Sequence, residues 1–400
     1  MPKALVFYHY FYPDDVVSAV HLTQFCEELH SRNWEVEAMP CNRGCRDDKQ
    51  TFIKNETWNG IKISRIWRPR FKQSSSIGRI LNIVWMIFFW SLAAFRKKPD
   101  VLIVGTDPIL SLLVAPIWKL IQPNVKIAHW CFDLYPEAAI ADGVINKNGL
   151  ISKILKKMMK SAYSSCDLIV DIGPCMRSLL DKYNHQAKKA TLNPWAFVEP
   201  SKPLEVDMNE RKKIFGDAHI GIIYSGSFGR AHSYKLFLEL AEMLKDEKNI
   251  HFAFSVGGNC ADELIEKIKD FDNISVIPFA PHNKLQQRLS SADIHLVSLR
   301  SEWSGTVVPS KFFGVLAVGR QIIFDGSPDS SIARWIEEYN VGWLLKENSV
   351  YEISEEIRKI AFSKDLSLSC RELSHRVYQQ NFSKKVVMDN FDTELRNILT

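Results

Sequence analysis

Short apolar segments alternate with helical segments along nearly the whole chain, and this alternation limits the folds that the chain can adopt. Before residue 194, runs with the length and composition of buried strands are separated by patterns typical of helices. Strands that alternate with helices form a parallel sheet with helices on both faces, a doubly wound α/β fold. The predicted strands are 4–8, 36–39, 61–66, 101–104, 126–129, 168–171 and 190–193.

A second series of strands follows a proline-rich segment at 194–203 and a charged stretch that extends to residue 213. A chain of 400 residues exceeds one comfortable hydrophobic core, so we expect two Rossmann-like domains, 1–195 and 196–380. The strands predicted in the second domain are 221–224, 251–255, 275–277, 294–298, 321–324 and 342–344.

Residues 307–324 contain a short apolar helix that we expect to begin at Pro309 and to end at Gly319. Ser310 and Lys311 lie at its start, where free backbone N–H groups and the helix dipole favour an anion. The pattern predicts a phosphate or nucleotide site, but an ordinary buried helix would show the same apolar pattern.

A glycine-rich turn follows the first predicted strand of the second domain. Its residues are Gly226, Ser227, Phe228, Gly229 and Arg230. Glycines let a backbone approach a pyrophosphate closely, and an arginine can neutralise that group. Many strand-to-helix turns need glycine for geometry alone, so the arginine that follows the glycines is what favours a diphosphate site.

In their order and spacing, these motifs resemble those of the retaining glycosyltransferases of family 4, over residues 3–345. Three further segments agree: D-L-Y-P-E at 133–137, N-P-W at 193–195 and A-D-I-H-L at 292–296. The nearest likeness is to bacterial enzymes that build cell-surface polysaccharides. The resemblance implies the GT-B architecture, two Rossmann-like domains facing a cleft, with a final helix at 381–400 that crosses back to the first domain.

The resemblance also implies the substrates and the site residues of the second domain. The donor would be a sugar linked to UDP or GDP, with no separate cofactor. Glu302 resembles the first acid of the family's E-x7-E motif, which holds hydroxyls of the donor sugar. The loop formed by Gly305, Thr306 and Val307 would offer N–H groups to the phosphate. The second acid of that motif, which holds the ribose, is missing, because its place falls on Ser310 or Gly314.

The first domain is predicted to bind the acceptor. Asp133, Glu137 and His129 follow or end the predicted strand at 126–129. Because ligands bind at the carboxyl ends of strands in this fold, we expect these side chains near the acceptor hydroxyl or the donor sugar. Glu137 is equally suited to the first turn of a helix, and His129 to a hydrogen-bonded place in the core.

No metal site is predicted. The eight cysteines are scattered and form no C-x-x-C pair, which fits reduced thiols in a cytoplasmic protein. A D-x-D motif at 270–272 falls where a helix ends and is expected to be a turn. The resemblance implies that Arg230 and Lys311 would supply the positive charge that a metal ion supplies elsewhere.

The charge distribution predicts a membrane surface as a partner. No Asp or Glu occurs between residues 60 and 98, whereas nine Lys and Arg flank an apolar segment at 80–95. A second acid-free segment, 143–166, reads as an amphipathic helix with a basic face. We expect an interfacial helix on anionic lipid, hence a peripheral protein on the inner face of the plasma membrane with a membrane-bound or lipid-linked glycan as acceptor. Nucleic acid is not expected as a partner, because the basic segment at 60–98 is too apolar and lacks a recognised nucleic-acid-binding motif.

Three functions remain at this point. The first is a retaining hexosyltransferase of cell-surface polysaccharide synthesis that uses a nucleotide sugar and a membrane-linked acceptor. A nucleotide-sugar 2-epimerase of the same architecture would need no membrane helix. An inactive relative that only binds nucleotide sugar or membrane would explain the missing second acid, although Arg230, Glu302 and Lys311 are present.

Overall fold

The computed structural model describes residues 1–72, 75–280, 284–361 and 364–400, and the chain divides into two compact units. The first unit contains Met1–Asn193 and Val387–Thr400, and the second contains Pro194–Val386. The contact-based division therefore lies two residues from the predicted boundary after residue 195, and the last helical segment belongs to the first unit.

The first unit is built on an eight-stranded sheet of order β3-β4-β2-β1-β5-β6-β7-β8, with every pairing parallel except β3 with β4. Its strands are β1 (Lys3–Phe7), β2 (Glu35–Ala38), β3 (Asn55–Trp58), β4 (Ile61–Ser64), β5 (Val101–Val104), β6 (Lys126–Trp130), β7 (Leu168–Asp171) and β8 (Lys188–Thr191). Its helices are α1 (Val17–Ser31), α2 (Ser76–Ala93), α3 (Val114–Ile121), α4 (Glu137–Ala141), α5 (Leu150–Ser164), α6 (Pro174–Leu180) and, from the chain end, α15 (Lys384–Leu399).

The direction in which the chain crosses this sheet determines which face each helix covers. The connection from β1 to β2 runs one way, and the connections from β4 to β5, β6 and β7 run the other way. Because such crossovers are right-handed, α1 covers one face, and α2, α3 and α5 cover the opposite face. The ring of Phe25 on α1 lies 4.8 Å from that of Phe391 on α15, so the final helix packs on the α1 face.

The second unit contains a six-stranded sheet of order β11-β10-β9-β12-β13-β14, with every pairing parallel. Its strands are β9 (Ile220–Ser227), β10 (Ile250–Gly257), β11 (Ile274–Val276), β12 (Ile294–Leu299), β13 (Gln321–Gly326) and β14 (Gly342–Leu345). Its helices are α7 (Met208–Phe215), α8 (Lys235–Met243), α9 (Ala261–Lys267), α10 (Leu285–Ser291), α11 (Lys311–Ala317), α12 (Ser331–Tyr339), α13 (Val350–Ala361) and α14 (Lys364–Asn381).

Numbered within the second unit, the strand order is 3-2-1-4-5-6, the order of a dinucleotide-binding Rossmann fold. Ligands bind such sheets where the strand order reverses, at the carboxyl ends of the first and fourth strands. In this unit those strands are β9 and β12, and in the first unit the corresponding strands are β1 and β5. We call these two places the switch points.

Helix α11 shows how the local sequence sets an element's ends. The helix begins at Lys311, so the prediction that Pro309 occupies its first position is wrong; the Pro309 carbonyl instead accepts a hydrogen bond from Phe312 N–H at 3.2 Å. At the other end Gly319 has φ +73°, and the N–H groups of Gly319 and Arg320 donate to the carbonyls of Leu316 and Val315. This Schellman motif ends the helix before β13.

Candidate functional site

The candidate donor site lies at the switch point of the second unit. The loop after β9 and the loop after β12 leave the sheet at this edge. Gly226 has φ +131°, and a Cβ atom added to it would collide with Cε of Lys311. The side chain of Lys311 therefore occupies the space above the glycine, and any other residue at position 226 would displace it.

Lys311 is held by the glycine-rich loop. Its ammonium group donates to the Ser227 carbonyl at 2.8 Å and to the Tyr224 hydroxyl at 3.0 Å, and it lies 4.6 Å from the centre of the Tyr224 ring. Burial lowers the pKa of Lys311 to about 7. Without a ligand, the site therefore holds a cation whose charge is poorly solvated, and a nearby anion would stabilise that charge.

His232, which no sequence motif singles out, packs against the backbone of this loop. Nδ1 of His232 lies 3.1 Å from the Gly229 nitrogen and 3.3 Å from the Gly229 carbonyl oxygen, so either tautomer of the ring can hydrogen-bond to the backbone of this loop. Burial, followed by the charge of Lys311, lowers the pKa of His232 to about 4, so the ring is neutral. Arg230 and the Ser227 side chain are exposed on the same loop. No pattern in a single sequence marks a histidine as the partner of a loop backbone.

The residues after β12 form a tight turn. Glu302 is exposed within a 3₁₀ turn, Ser301–Trp303, that begins one residue after the end of β12 at Leu299, with Arg300 between them. Ser304 has extended torsions, Gly305 has φ +81°, and Thr306 N–H donates to the Trp303 carbonyl at 3.0 Å, which is the geometry of a type II turn. Val307 forms an isolated β-bridge with Ser304, and the loop then extends to Ser310, the residue before α11.

Gly314 is one of the two positions, with Ser310, where the resemblance places the second acid of the E-x7-E motif. Gly314 lies in the middle of α11, where a Cβ atom would meet only Cδ1 of Leu289, at an ordinary 3.8 Å. A side chain would therefore fit there, and no described contact requires glycine. Crowding therefore does not explain the glycine at this position.

The predicted acceptor residues of the first unit follow β6. Asp133 is exposed in the turn after the strand, yet protein surrounds its carboxylate on most sides; this desolvation, with the charge of Asp107, raises the pKa of Asp133 to about 6. His129 is buried, and its Nδ1 lies 2.8 Å from the Val104 carbonyl, to which it donates. Burial lowers the pKa of His129 to about 4, so the ring is neutral. Both side chains line a cavity of about 10 Å³, with room for one water molecule.

Glu137 is the first residue of α4, one of the two positions that the sequence allowed. It accepts a hydrogen bond from the Tyr183 hydroxyl at 2.7 Å. Its other carboxylate oxygen is buried and has no partner among the described residues. Glu137 is thus anchored to a structural tyrosine, and any role in acceptor binding stays a prediction.

The structure therefore groups the predicted donor residues on three neighbouring segments of the second unit. Gly226, Ser227 and Lys311 are in direct contact, and Gly229 with Arg230 continues the same loop. In the part of the chain that the structure describes, no group of three or more His, Cys, Asp or Glu is placed to hold a metal ion.

Two curated bacterial proteins are similar to the chain over most of its length. The chain is 25% identical over 348 residues to "Probable glycosyltransferase WbjE" of Pseudomonas aeruginosa, covering 83% of this chain and 84% of that protein. It is 23% identical over 354 residues to "Putative colanic acid biosynthesis glycosyl transferase WcaI" of Escherichia coli K12, with the same coverage. No protein-family model matches the chain.

Solved structures show the fold. Sucrose-phosphate synthase from Thermosynechococcus elongatus superposes with a TM-score of 0.73 at 12% identity, over 100% of this chain and 99% of that chain. Anabaena Alr3699/HepE in complex with UDP-glucose superposes with a TM-score of 0.61 at 10% identity, over 99% and 100% of the two chains. These comparisons confirm the GT-B fold and the resemblance to glycosyltransferases that the sequence predicts, and they support a glycosyltransferase of bacterial polysaccharide biosynthesis.

Proposed function

We propose that this protein is a retaining hexosyltransferase that moves a sugar from a UDP- or GDP-sugar to a membrane-associated, lipid-linked glycan. The observation that carries the donor part is the contact of Lys311 with the glycine-rich loop at the switch point of the second unit. A half-buried ammonium group with a lowered pKa, next to a loop that carries Arg230, suits a ligand with two phosphates. The UDP-glucose bound to the structurally similar HepE supports this donor class.

Each donor residue would have a separate task. Lys311 and Arg230 would neutralise the diphosphate, which gains negative charge as the glycosidic bond breaks. Glu302, exposed directly after β12, would hold hydroxyls of the sugar, and the turn of Gly305, Thr306 and Val307 would offer N–H groups to the phosphate. With two cations provided by side chains, the reaction would need no metal ion.

The acceptor would attack the face that the leaving group departs from, which retains the anomeric configuration. The leaving phosphate oxygen would take the acceptor proton, so no protein nucleophile is required. Asp133, with its pKa raised to about 6, would orient the acceptor hydroxyl as a hydrogen-bond acceptor above that pH. His129 and Glu137 would support this edge of the first unit.

Donor binding is tested with the nucleotides UDP and GDP and with their hexose conjugates, by thermal shift and calorimetry. Arg230→Ala and Lys311→Ala should each weaken nucleotide binding by about tenfold to a hundredfold, because each removes a charge-assisted contact of about 1.5–3 kcal/mol. Lys245→Ala, an exposed lysine paired with Glu242, is the matched control and should bind normally. Normal nucleotide affinity in both site variants would refute the donor site, and binding without turnover would indicate an inactive relative.

The membrane partner is supported by the face of the first unit that carries α2, α3 and α5. One face of α2 is buried at Gly78, Asn82, Met86, Trp90 and Ala93, spaced by about one helical turn. Its other face is apolar as well, but exposed; the exposed side chains are Ile77, Ile80, Leu81, Val84, Phe88 and Leu92. In the described chain, α2 is the one helix long and apolar enough to cross a membrane by length and composition, with 28% of it buried.

Neighbouring helices extend this apolar surface and add positive charge. On α3, Leu120 is 83% exposed, and on α5 the apolar residues Leu150, Ile151 and Ile154 are exposed beside lysines. Exposed apolar area on this scale marks an interaction surface, and cations beside it favour anionic lipid. We therefore place the α2 face on the inner leaflet of the plasma membrane, where a lipid-linked acceptor would be available.

Vesicles that contain an anionic phospholipid test this surface. The protein should sediment with them at low salt and less at high salt, and Phe88→Ser should reduce binding because the ring leaves the interface. Phe279→Ser is the matched control, since Phe279 lies in the second unit and is 54% exposed against 55% for Phe88. Equal binding of the two variants would contradict the proposed membrane face.

A further inference from the structure

A buried threonine that the proposed function does not use lies beside two of the predicted acceptor residues. Thr106 follows β5, and Asp133 follows β6, the neighbouring strand of the sheet. Near the ends of these two strands Val104 pairs with His129, which brings the loops after β5 and β6 together. Thr106, His129 and Asp133 line the same cavity of about 10 Å³.

The hydroxyl group of Thr106 lacks a protein partner. Thr106 is 7% exposed, and its Oγ1 is buried with no hydrogen bond to any described residue. Ser111 lines the same cavity, but its hydroxyl group already donates to the Gly105 carbonyl. A buried hydroxyl group without a hydrogen bond costs free energy, and such groups are nearly always bonded to protein or to an ordered water molecule. Because the cavity has room for one water molecule, water is a partner of the right size.

The other residues that line the cavity determine what a water molecule there can bind. Nδ1 of His129 lies 2.8 Å from the Val104 carbonyl, which can only accept, so Nδ1 carries the ring proton. Burial lowers the pKa of this ring to about 4, so the ring is neutral and Nε2 is an acceptor. The carboxylate of Asp133 is a second acceptor. From α5, Met159 and Tyr163 cover the cavity, with the Tyr163 ring centre 6.0 Å from that of His129.

The available donors and acceptors match those of one water molecule. We propose that a water molecule in this cavity accepts a hydrogen bond from the Thr106 hydroxyl and donates to Nε2 of His129 and to the Asp133 carboxylate. Three hydrogen bonds are the number that a buried water molecule usually forms. Thr106 is then a positioning residue, because through the water molecule it holds the Asp133 carboxylate in place. That this carboxylate orients the acceptor rests on the proposed function.

The titratable groups around Asp133 do not supply the missing donor. Desolvation, followed by the charge of Asp107 on the loop after β5, raises the pKa of Asp133, and both effects disfavour the carboxylate. Tyr8 and Tyr135 also lie within electrostatic range, and burial raises the pKa of each phenol, so both are neutral. A water molecule that donates to the carboxylate favours its charged form and opposes the desolvation.

A crystal structure of the full chain without ligands tests the water molecule directly. The wild type should show one water molecule within hydrogen-bond distance of Thr106 Oγ1, His129 Nε2 and the Asp133 carboxylate. Thr106→Val replaces the hydroxyl group by a methyl group and should lose this water molecule, whereas Thr106→Ser keeps the hydroxyl group and should retain it. A wild-type cavity without water, or a water molecule that does not reach Asp133, would overturn the proposal.

Titration of Asp133 distinguishes an effect on the carboxylate from an effect on packing alone. In protein labelled with carbon-13 at the aspartate carboxyl groups, NMR identifies the Asp133 signal by its loss in Asp133→Asn. Thr106→Val should raise the pKa of Asp133 by about 0.5–1, because the charged form loses a hydrogen bond, and Thr106→Ser should restore the wild-type value. Thr23→Val is the matched control: Thr23, on α1, is 8% exposed, and its replacement should leave the pKa of Asp133 unchanged. An unchanged pKa in folded Thr106→Val would refute the positioning role.

Both measurements are made without an acceptor, so they are independent of the proposed function. If Thr106→Val does not fold, the wild-type crystal structure and the Thr106→Ser titration decide. A bound water molecule and a shifted pKa in a protein that transfers no sugar would leave the role of Thr106 intact and refute the proposed function. Sugar transfer by a protein whose Asp133 titrates identically with and without the Thr106 hydroxyl would do the opposite.

Discussion

Replacement of Lys311 by methionine should stabilise the ligand-free protein in acid and weaken its nucleotide binding by about tenfold to a hundredfold. The folded state lowers the pKa of Lys311 from 10.5 to about 7 because burial disfavours the charge. The unfolded chain therefore binds more protons than the folded chain between pH 7 and 10.5, and the stability that depends on Lys311 rises with pH across that window. Below pH 7 both states are protonated, and the penalty is constant.

The size of the effect follows from the two pKa values. Each unit of pKa shift corresponds to about 1.4 kcal/mol, so between pH 6 and pH 9 the Lys311 contribution to the free energy of unfolding should rise by roughly 2.7 kcal/mol. Methionine does not titrate, so the difference in free energy of unfolding between Lys311→Met and the wild type should shrink by that amount from pH 6 to pH 9. A comparison between two pH values cancels the hydrogen bonds to Tyr224 and Ser227, which both measurements contain.

Urea unfolding of both proteins at pH 6, 7.5 and 9 measures this difference, with hydrogen exchange of β9 and α11 amides to report on the second unit. The affinity for UDP or GDP should fall as the pH rises, whereas the free energy of unfolding should increase. Above pH 7 the affinity of the wild type should fall by up to tenfold per pH unit, because Lys311 must take up a proton before it can bind the phosphates. The affinity of Lys311→Met should not depend on pH in this way. Lys245→Met should resemble the wild type in both assays. If the free energy of unfolding changes with pH by the same amount in the wild type and in Lys311→Met, the reasoning is refuted.

Three further predictions concern the scaffold of this site. The guanidinium of Arg320 donates from Nε, Nη1 and Nη2 to five backbone carbonyls, at the ends of α10 and α11 and at Leu204, so Arg320→Met should lower the free energy of unfolding by about 3–5 kcal/mol in urea. Gly226→Ala should fold but lose nucleotide affinity in calorimetry, because the new methyl group displaces Lys311. Gly314→Ala should raise the stability by about 1 kcal/mol in thermal unfolding, since the methyl group has room and alanine favours the helix.

Much of the fold could be predicted because buried parallel strands carry a strong local signal. The strands 101–104 and 168–171 were predicted with the bounds that the structure has, since each is an apolar run buried at every position. The strand β3 was missed because Asn55–Trp58 is an edge strand with exposed polar residues, and only its antiparallel pairing with β4 makes it a strand. Its hydrogen bonds depend on β4, which a local pattern does not contain.

The residues of the donor site could be predicted from the sequence, but their mutual contacts and their charge states could not. Lys311 and the glycine-rich loop were identified because each follows a recognisable element boundary. Their contact could not be predicted, because β9 and α11 are 84 residues apart between Ser227 and Lys311 and meet only through the strand order of the sheet. The same holds for His232, whose neutral ring depends on burial and on Lys311 rather than on its neighbours in sequence.

The two switch points show why strand order matters more for function than any single motif. In each unit the order brings together side chains from loops that are distant in sequence, at an edge where helices do not cover the sheet. In the second unit this produces a half-buried ammonium group over a glycine, and in the first it brings the His9 ring to within 3.6 Å of the Asp107 carboxylate. A poorly solvated charge costs stability unless something neutralises it. The diphosphate of the proposed donor would supply that neutralising charge for Lys311, so strand order creates the need that the ligand meets.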